Sequence, residues 1–477
     1  MNKKIVILLL LVFITTTLVH SQTNNQLTTE KKAWLTKANR HEKNGWIIVH
    51  LEGTPEAIGY QHGYLLADEI IDLRGAMVMY YSNRTDKTWE FYRSESTRMF
   101  WPKIPEEYQK EIDGIVRGVN DKTGTIKIDR YDIIAMNSIL EMSGYYVPWL
   151  KSVNNPKTPP PKPSGHCSAI AATGSWTKDG KIVMAHNNWI AYVIGERWNI
   201  ILDIVPEKGN RIVMDALPGF IHSGDDFYIN SSGLIVTETT ITQFYGFDTS
   251  GVAEFVRARK AIQYSTSIDA WASIMVEKNN GGYANDWLIG DNKTGEIARL
   301  ELGLKNHPLE KTKDGFFTGA NYPVDEKLIK EETTFDTSLT NISPNTRKLR
   351  WKELLRDYRG KIDVKEAMKF MGDHYDTFRK KDKPSGFTIC GHWDDDDISA
   401  PYWDQPCYDP NGAVQGKATD GNLVKEMKLW AIIGHPCGEP FIAKDFFKKH
   451  PEFNYQKEYL HDMPGQVWTL FGKINNR

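Results

Sequence analysis

Apolar spacing along the chain changes character partway through. Trp46-Ile47-Ile48-Val49-His50-Leu51 is a short apolar run with strand character, and Thr54-Pro55 then caps and opens a helix predicted through Gln61 to Leu73. From Asp86 to Thr123 and from Asp129 to Met142 the apolar residues recur at helical spacing. The polar stretch from Gln22 to Asn44 predicts only a loose lead-in. Past Cys167 the texture becomes short alternating runs bounded by glycine, asparagine or aspartate: Ser168 to Thr173, Lys181 to Trp189, Trp198 to Val205, Arg211 to Ala216, Gly233 to Thr240, Asp286 to Gly290 and Ile297 to Leu302. Helical spacing returns at Val252 to Tyr264, Ser267 to Lys278, Asn345 to Tyr358 and Val364 to Met371. No strand-helix alternation of a doubly wound fold is present. The pattern predicts an α+β protein with a sheet-on-sheet core covered by helices.

At 477 residues with 40% hydrophobic and 12% aromatic side chains, the chain can bury a substantial core. A formal charge of -2, with neither sign dominating in blocks, gives no electrostatic case for nucleic acid or anionic membranes. Residues 1–21 read as a secretory signal: Lys3 and Lys4, the apolar run Ile5 to Ile14, and Val19-His20-Ser21 before Gln22. That run is shorter than the roughly 20 residues that span a bilayer, and no later segment is apolar enough. Export therefore places the mature chain in a secreted or periplasmic setting, or a lysosome-like lumen in a eukaryote. Of the four cysteines, Cys390, Cys407 and Cys437 lie in the last quarter, where a bridge is plausible and Cys390 with Cys407 is the nearest pair in sequence. Cys167 stands alone.

Asn155 to Gly165 is a proline-rich stretch that runs directly into His166-Cys167-Ser168. It reads either as a surface linker or as an exposed segment suited to excision. Cutting between His166 and Cys167 would give Cys167 a free α-amine beside its thiol, a nucleophile and a base on one residue. The strand from Ser168 and the return strand to Trp189, turning at Asp179-Gly180, predict a hairpin. A connection of about five residues sets Trp189 roughly opposite Cys167, with His186 one or two steps further, and a tighter turn shifts that register by three. A thiol with histidine, amide and indole donors nearby suits acyl transfer. No papain-like cysteine motif, Gly-x-Ser-x-Gly elbow, His-Glu-x-x-His helix or phosphate loop occurs. Asp394 to Asp397 lacks the spacing of a calcium loop and reads as a solvated acidic turn.

These residues resemble the phospholipase B-like proteins and, more distantly, the acyltransferases that process penicillin precursors, all N-terminal nucleophile hydrolases. Six fragments carry the resemblance in order: Gly59-Tyr60-Gln61-His62-Gly63; Cys167-Ser168-Ala169; His186-Asn187-Asn188-Trp189; Ser231-Ser232-Gly233-Leu234 with Glu238-Thr239-Thr240-Ile241; Tyr283-Ala284-Asn285-Asp286-Trp287; and Ala320-Asn321-Tyr322-Pro323. The resemblance implies a four-layer αββα sandwich made as a precursor: a signal in 1–21, a mostly helical light fragment in 22–151, a linker in 152–166, and the nucleophile-bearing part in 167–477. It implies cleavage between His166 and Cys167, with Cys167 as nucleophile and its new α-amine as base. His186 and Trp189 match site positions, Asn321 the oxyanion-hole asparagine, and Thr239 or Thr240 a further polar residue. The family's arginine follows a Ser-Pro pair; here Ser343-Pro344 precedes Asn345-Thr346, which favours Arg347 over Arg350. No cofactor or metal is implied. The partners are an acylated small molecule or lipid and the chain's own N-terminal fragment. Transfer to an amine instead of water, and a silent lipid-binding member of the fold, are the alternatives.

Overall fold

A computed structural model describes residues 27–155, 167–225 and 227–474. The signal segment, the proline run from Pro156 onward and His166 lie outside the described residues.

The α+β expectation holds, with two large sheets among the described residues. One runs in the order Asn39–Lys43, Trp46–Gly53, Ile200–Pro206, Ile212–Ala216, Tyr228–Asn230, Leu234–Thr240, Asn285–Asp291, Glu296–Leu302 and Leu309–Thr312. The other runs Gly315–Gly319, Ser168–Thr173, Val183–Ala191, Asn411–Asp420, Lys428–Ile433 and Thr469–Gly472. Period-2 alternation decides what each face meets. Ala169, Ala171 and Met184 of the second sheet pack against Ile48, Ile201, Val213, Ile235 and Leu288 of the first. Ile170, Ala172 and Val183, on the opposite face, meet Trp351, Leu354 and Phe370 from helices Ser343–Tyr358 and Val364–Met371. The far face of the nine-stranded sheet is covered by the N-terminal helices together with Glu254–Tyr264 and Ile268–Val276.

From residue 27 on, the lead-in is not loose. Thr29–Leu35 is a helix capped by the Thr28 hydroxyl, and Asn39–Lys43 pairs antiparallel with Trp46–Gly53. The signal was the Asn44-Gly45 pair, at φ 49° and 81°, a dipeptide suited to a tight hairpin turn. Trp46–Gly53 then runs parallel to Ile200–Pro206, so the segment before Cys167 and the segment after it share one sheet.

Gly59-Tyr60-Gln61-His62-Gly63 proves to be a packing motif. It lies on helix Pro55–Leu65, which crosses Glu106–Thr123 so closely that a Cβ on Gly59 or Gly63 would overlap the backbone of Glu111 or Ile115. Gly114 and Gly118 make the same close approach from the other helix. Gln61 bonds the backbone of Glu52 and Trp34, and His62 Nε2 accepts from Gly219 N at 2.9 Å. Gly59, Gln61, His62 and Gly63 therefore act on the fold.

The predicted hairpin forms with a different register. Ser168 opposes Asn187 and Ala169 opposes His186, which sets Asn188, not Trp189, across from Cys167. The connection is longer than a five-residue turn, because Gly174–Trp176 forms a 3-10 turn before Asp179-Gly180 and the return strand begins only at Val183.

Candidate active site

Cys167 sits at the mouth of its strand, buried to 3% exposure, and its backbone is gripped on both sides. Its N–H donates to Asn321 Oδ1 at 3.0 Å, and its carbonyl accepts from Arg347 Nη1 at 2.5 Å. The same guanidinium donates to Asn321 Oδ1 at 2.9 Å, to Ser168 Oγ at 3.1 Å and to Ser343 Oγ at 3.0 Å, and it stacks 4.3 Å from the Trp189 ring centre. Arg347 is fully buried, and among the described residues no carboxylate forms an ion pair with it. Burial without a counter-charge pulls its pKa down to about 9. Arg350 lies on another face of that helix, forked onto Asp373 at 2.9 and 2.7 Å.

Asn321 is held at φ 69°, a left-handed conformation that costs a non-glycine residue energy and is tolerated where the surroundings fix it. The amide orientation follows from its neighbours: its oxygen faces two donors, while Nδ2 donates to the Thr240 carbonyl at 2.9 Å. Asn321 thus positions the Cys167 nitrogen. Thr240 enters through that carbonyl and lines the cavity, whereas the Thr239 side chain points between the sheets against Gly319.

Opposite Cys167, Asn188 carries an Nδ2 with no hydrogen-bond partner and lines the same cavity. One pleat further, His186 is completely buried beside Lys417, and desolvation pulls its pKa down to about 3, so its ring is neutral across the physiological range. The Cys167 sulfur, one His186 ring nitrogen and one Glu238 carboxylate oxygen lie within 4.8 Å of one another. Glu238 Oε1 stands 3.9 Å from the sulfur and accepts from the Tyr283 hydroxyl at 3.1 Å. Burial, reinforced by Glu238, pushes the Cys167 thiol well above its ordinary pKa. The resting group is a thiol, and its reaction requires a base.

In front of the sulfur opens a cavity of about 260 Å³. Tyr80, Tyr81 and Arg84 wall it from the N-terminal helices, Leu140 and Tyr145 from the segment behind them, and Trp403 and Gln405 from a C-terminal loop. Cys167, His186, Trp189, Asn321, Arg347 and Thr240 therefore converge, and Thr239 and Arg350 do not. Sequence reasoning assigned no role to Glu238, Asn188 or Tyr283, although all three sit within quoted fragments. The one charged residue in the strand Leu234–Thr240 was the available signal for the first.

Half of the chain, residues 54–303, matches the Phospholipase B family, and the chain belongs to that family. It is 25% identical to phospholipase B-like 1 of Homo sapiens over 413 residues, which is 76% of this chain and 69% of that protein. Identity to the bovine phospholipase B-like 1 is 24% over 388 residues, 73% and 67% of the two chains. With the phospholipase B of Crotalus adamanteus it is 25% over 334 residues, and the match spans 62% of this chain and 57% of that relative.

Proposed function

We propose that this chain is a hydrolase of lipid acyl bonds that works through Cys167, is exported on residues 1–21, cleaves itself between His166 and Cys167, and has the four-layer sandwich of N-terminal nucleophile hydrolases. Family membership and the relatives' names support a phospholipase B-like activity. The observation that carries the cysteine mechanism is the double grip on the Cys167 backbone with its thiol facing a cavity. After cleavage the Cys167 nitrogen is an α-amine, a group that titrates near 8. It takes the thiol proton while Asn321 Oδ1 fixes its position. The thiolate attacks the acyl carbonyl, and the unpartnered Asn188 Nδ2 donates to the oxygen that becomes negative. Collapse expels the alcohol, which leaves with the proton held by the amine, and water then resolves the thioester with the amine again as base. Tyr80, Tyr145 and Trp403 offer aromatic wall to an acyl chain, and Arg84 at the rim suits an anionic head group.

Purifying the secreted protein and reading its fragment termini tests this reading, together with fatty acid release from phospholipid in mixed micelles. The expected result is a heavy fragment beginning at Cys167, and a Cys167→Ala chain that stays intact and releases nothing. An intact wild-type chain at mildly acidic and neutral pH, with Cys167→Ala retaining fatty acid release, would overturn it.

A further inference from the structure

A second convergence of cysteine and histidine lies behind the site. His374 follows helix Val364–Met371, Cys390 and His392 flank Gly391, and Cys437 sits in a turn after strand Lys428–Ile433. One ligand atom from each of these four residues lies within 4.8 Å of all the others. His392 Nε2 is 3.2 Å from His374 Nε2, 3.4 Å from Cys390 Sγ and 3.7 Å from Cys437 Sγ.

Hydrogen bonding does not account for this arrangement. An imidazole nitrogen holds either one hydrogen or one lone pair, so it makes one good bond, yet three atoms crowd His392 Nε2. A tetrahedral cation does account for it. With metal–sulfur near 2.3 Å and metal–nitrogen near 2.05 Å, the edges of such a tetrahedron are about 3.3 Å between nitrogens and about 3.6 Å between nitrogen and sulfur. The three observed edges match. An independent feature supports thiolate character: Gly438, at φ 87°, turns the chain so that the Glu439 N–H points at Cys437 Sγ, at 3.5 Å. Cys407 stands apart, its thiol donating to the Asp397 carbonyl.

We propose that His374, Cys390, His392 and Cys437 form a closed tetrahedral site for a zinc-class divalent cation. Two thiolates and two neutral imidazoles saturate the ion and leave no position for substrate, so its role is structural. The site ties together three segments distant in sequence. One of them backs the wall of the candidate active site: Cys390 packs with Ala413 against Trp189, and a Cβ on Gly391 would overlap the Trp189 ring. The cation therefore staples the wall on which Trp189, and through it Arg347, rests. The competing fate of the two thiols is a Cys390–Cys437 disulfide, which excludes the cation.

The test is elemental analysis of the full-length chain purified without chelator. About one zinc per chain is expected. The metal should persist in Cys167→Ser, which removes the other thiol-histidine-carboxylate group, and in Cys407→Ser. It should be lost in the paired change of Cys390 and Cys437 to serine. Because that double variant risks misfolding, cobalt replacement in the wild-type chain supplies a second readout. Intense tetrahedral d–d bands with thiolate charge transfer are expected, altered by His374→Gln, a half-buried position. A metal-free chain with a mapped Cys390–Cys437 disulfide, or a cobalt spectrum that His374→Gln leaves unchanged, would overturn the proposal.

Discussion

Two corners of this protein use the same residue types to opposite ends. At Cys167, one thiol, one histidine and one carboxylate meet beside an open cavity of about 260 Å³. At Cys390 and Cys437, two thiols and two histidines converge, one ligand atom from each lying within 4.8 Å of the others. The first thiol is kept protonated by burial and a neighbouring carboxylate, and it needs a base to react. The second pair lies among donors, and the Cys437 sulfur accepts a backbone N–H. On the two proposals made above, the environment decides between a nucleophile and a staple: space in front of the sulfur permits chemistry, and saturation by ligands forbids it.

The largest effect separating the corners is expected at Arg347. Its planar fork serves the Cys167 carbonyl, Ser168, Ser343 and Asn321 at once, and lysine offers a single point donor in its place. Losing two or three charge-assisted bonds at about 1–2 kcal/mol each lowers kcat/KM on the order of 10²-fold in Arg347→Lys. Arg350→Lys, whose largely buried pair with Asp373 makes no contact with Cys167 or Asn321, is expected to change kcat/KM by less than about twofold. Equal losses in the two variants would mean that the helix, and not the guanidinium at Cys167, supports activity.

Coupling between the corners is sharpened at Gly391. An alanine there drives a methyl into the Trp189 ring and is expected to cost about 1–3 kcal/mol of stability. Gly386→Ala makes a comparable collision with Trp393. If the Cys/His corner supports the site through Trp189, both variants melt earlier but only Gly391→Ala loses activity, on the order of tenfold. Matched activities at matched melting shifts would break the link.

How far the sequence exposed this contrast depends on the length scale of each signal. Cys167, His186, Trp189, Asn321 and Arg347 were legible through short fragments, and the main strands and helices through their periodicity. The register was not, because a 3-10 turn at Gly174–Trp176 lengthens a connection whose composition reads as a plain hairpin. Strand Asn411–Asp420 was missed because Gly412, Gln415, Gly416 and Lys417 interrupt its apolar pattern, whereas Lys428–Ile433 is an unbroken apolar run after its lysine and was simply not read as a strand. Lys417 tolerates burial because Asp215, from a strand of the other sheet, and Asp225, from the connection that follows that strand, both reach it. The Cys/His corner was invisible for a similar reason. Its ligands lie at 374, 390, 392 and 437, a spacing of no metal motif, and only the sheet ends bring them together. The acidic run likewise divides by burial: Asp396 is buried against Arg379 and Asp394 accepts from Tyr192, so only Asp395 and Asp397 form the solvated turn expected.

The smallest expected effect concerns the helical wall of the cavity and separates its stability from the chemistry beside it. Glu141, between the cavity residues Leu140 and Ser143, is fully buried, accepting from the Glu254 N–H at 2.7 Å and Asn280 Nδ2 at 2.6 Å. Desolvation raises its pKa from 4.5 to about 7, only partly offset by Asn280 and Arg257. Between those values the unfolded chain has released a proton that the folded chain still holds, so stability falls as pH rises through this window and levels off above it. From pH 5 to 7.5 the loss is about 2 kcal/mol, or roughly 2 °C in Tm for a chain of this size. Glu141→Gln removes the titration, and the Tm difference between the two pH values should shrink by that amount while the pH profile of kcat stays in place. A profile that moves with the substitution would mean that Glu141 acts on the reaction at Cys167 as well as on the wall in front of it.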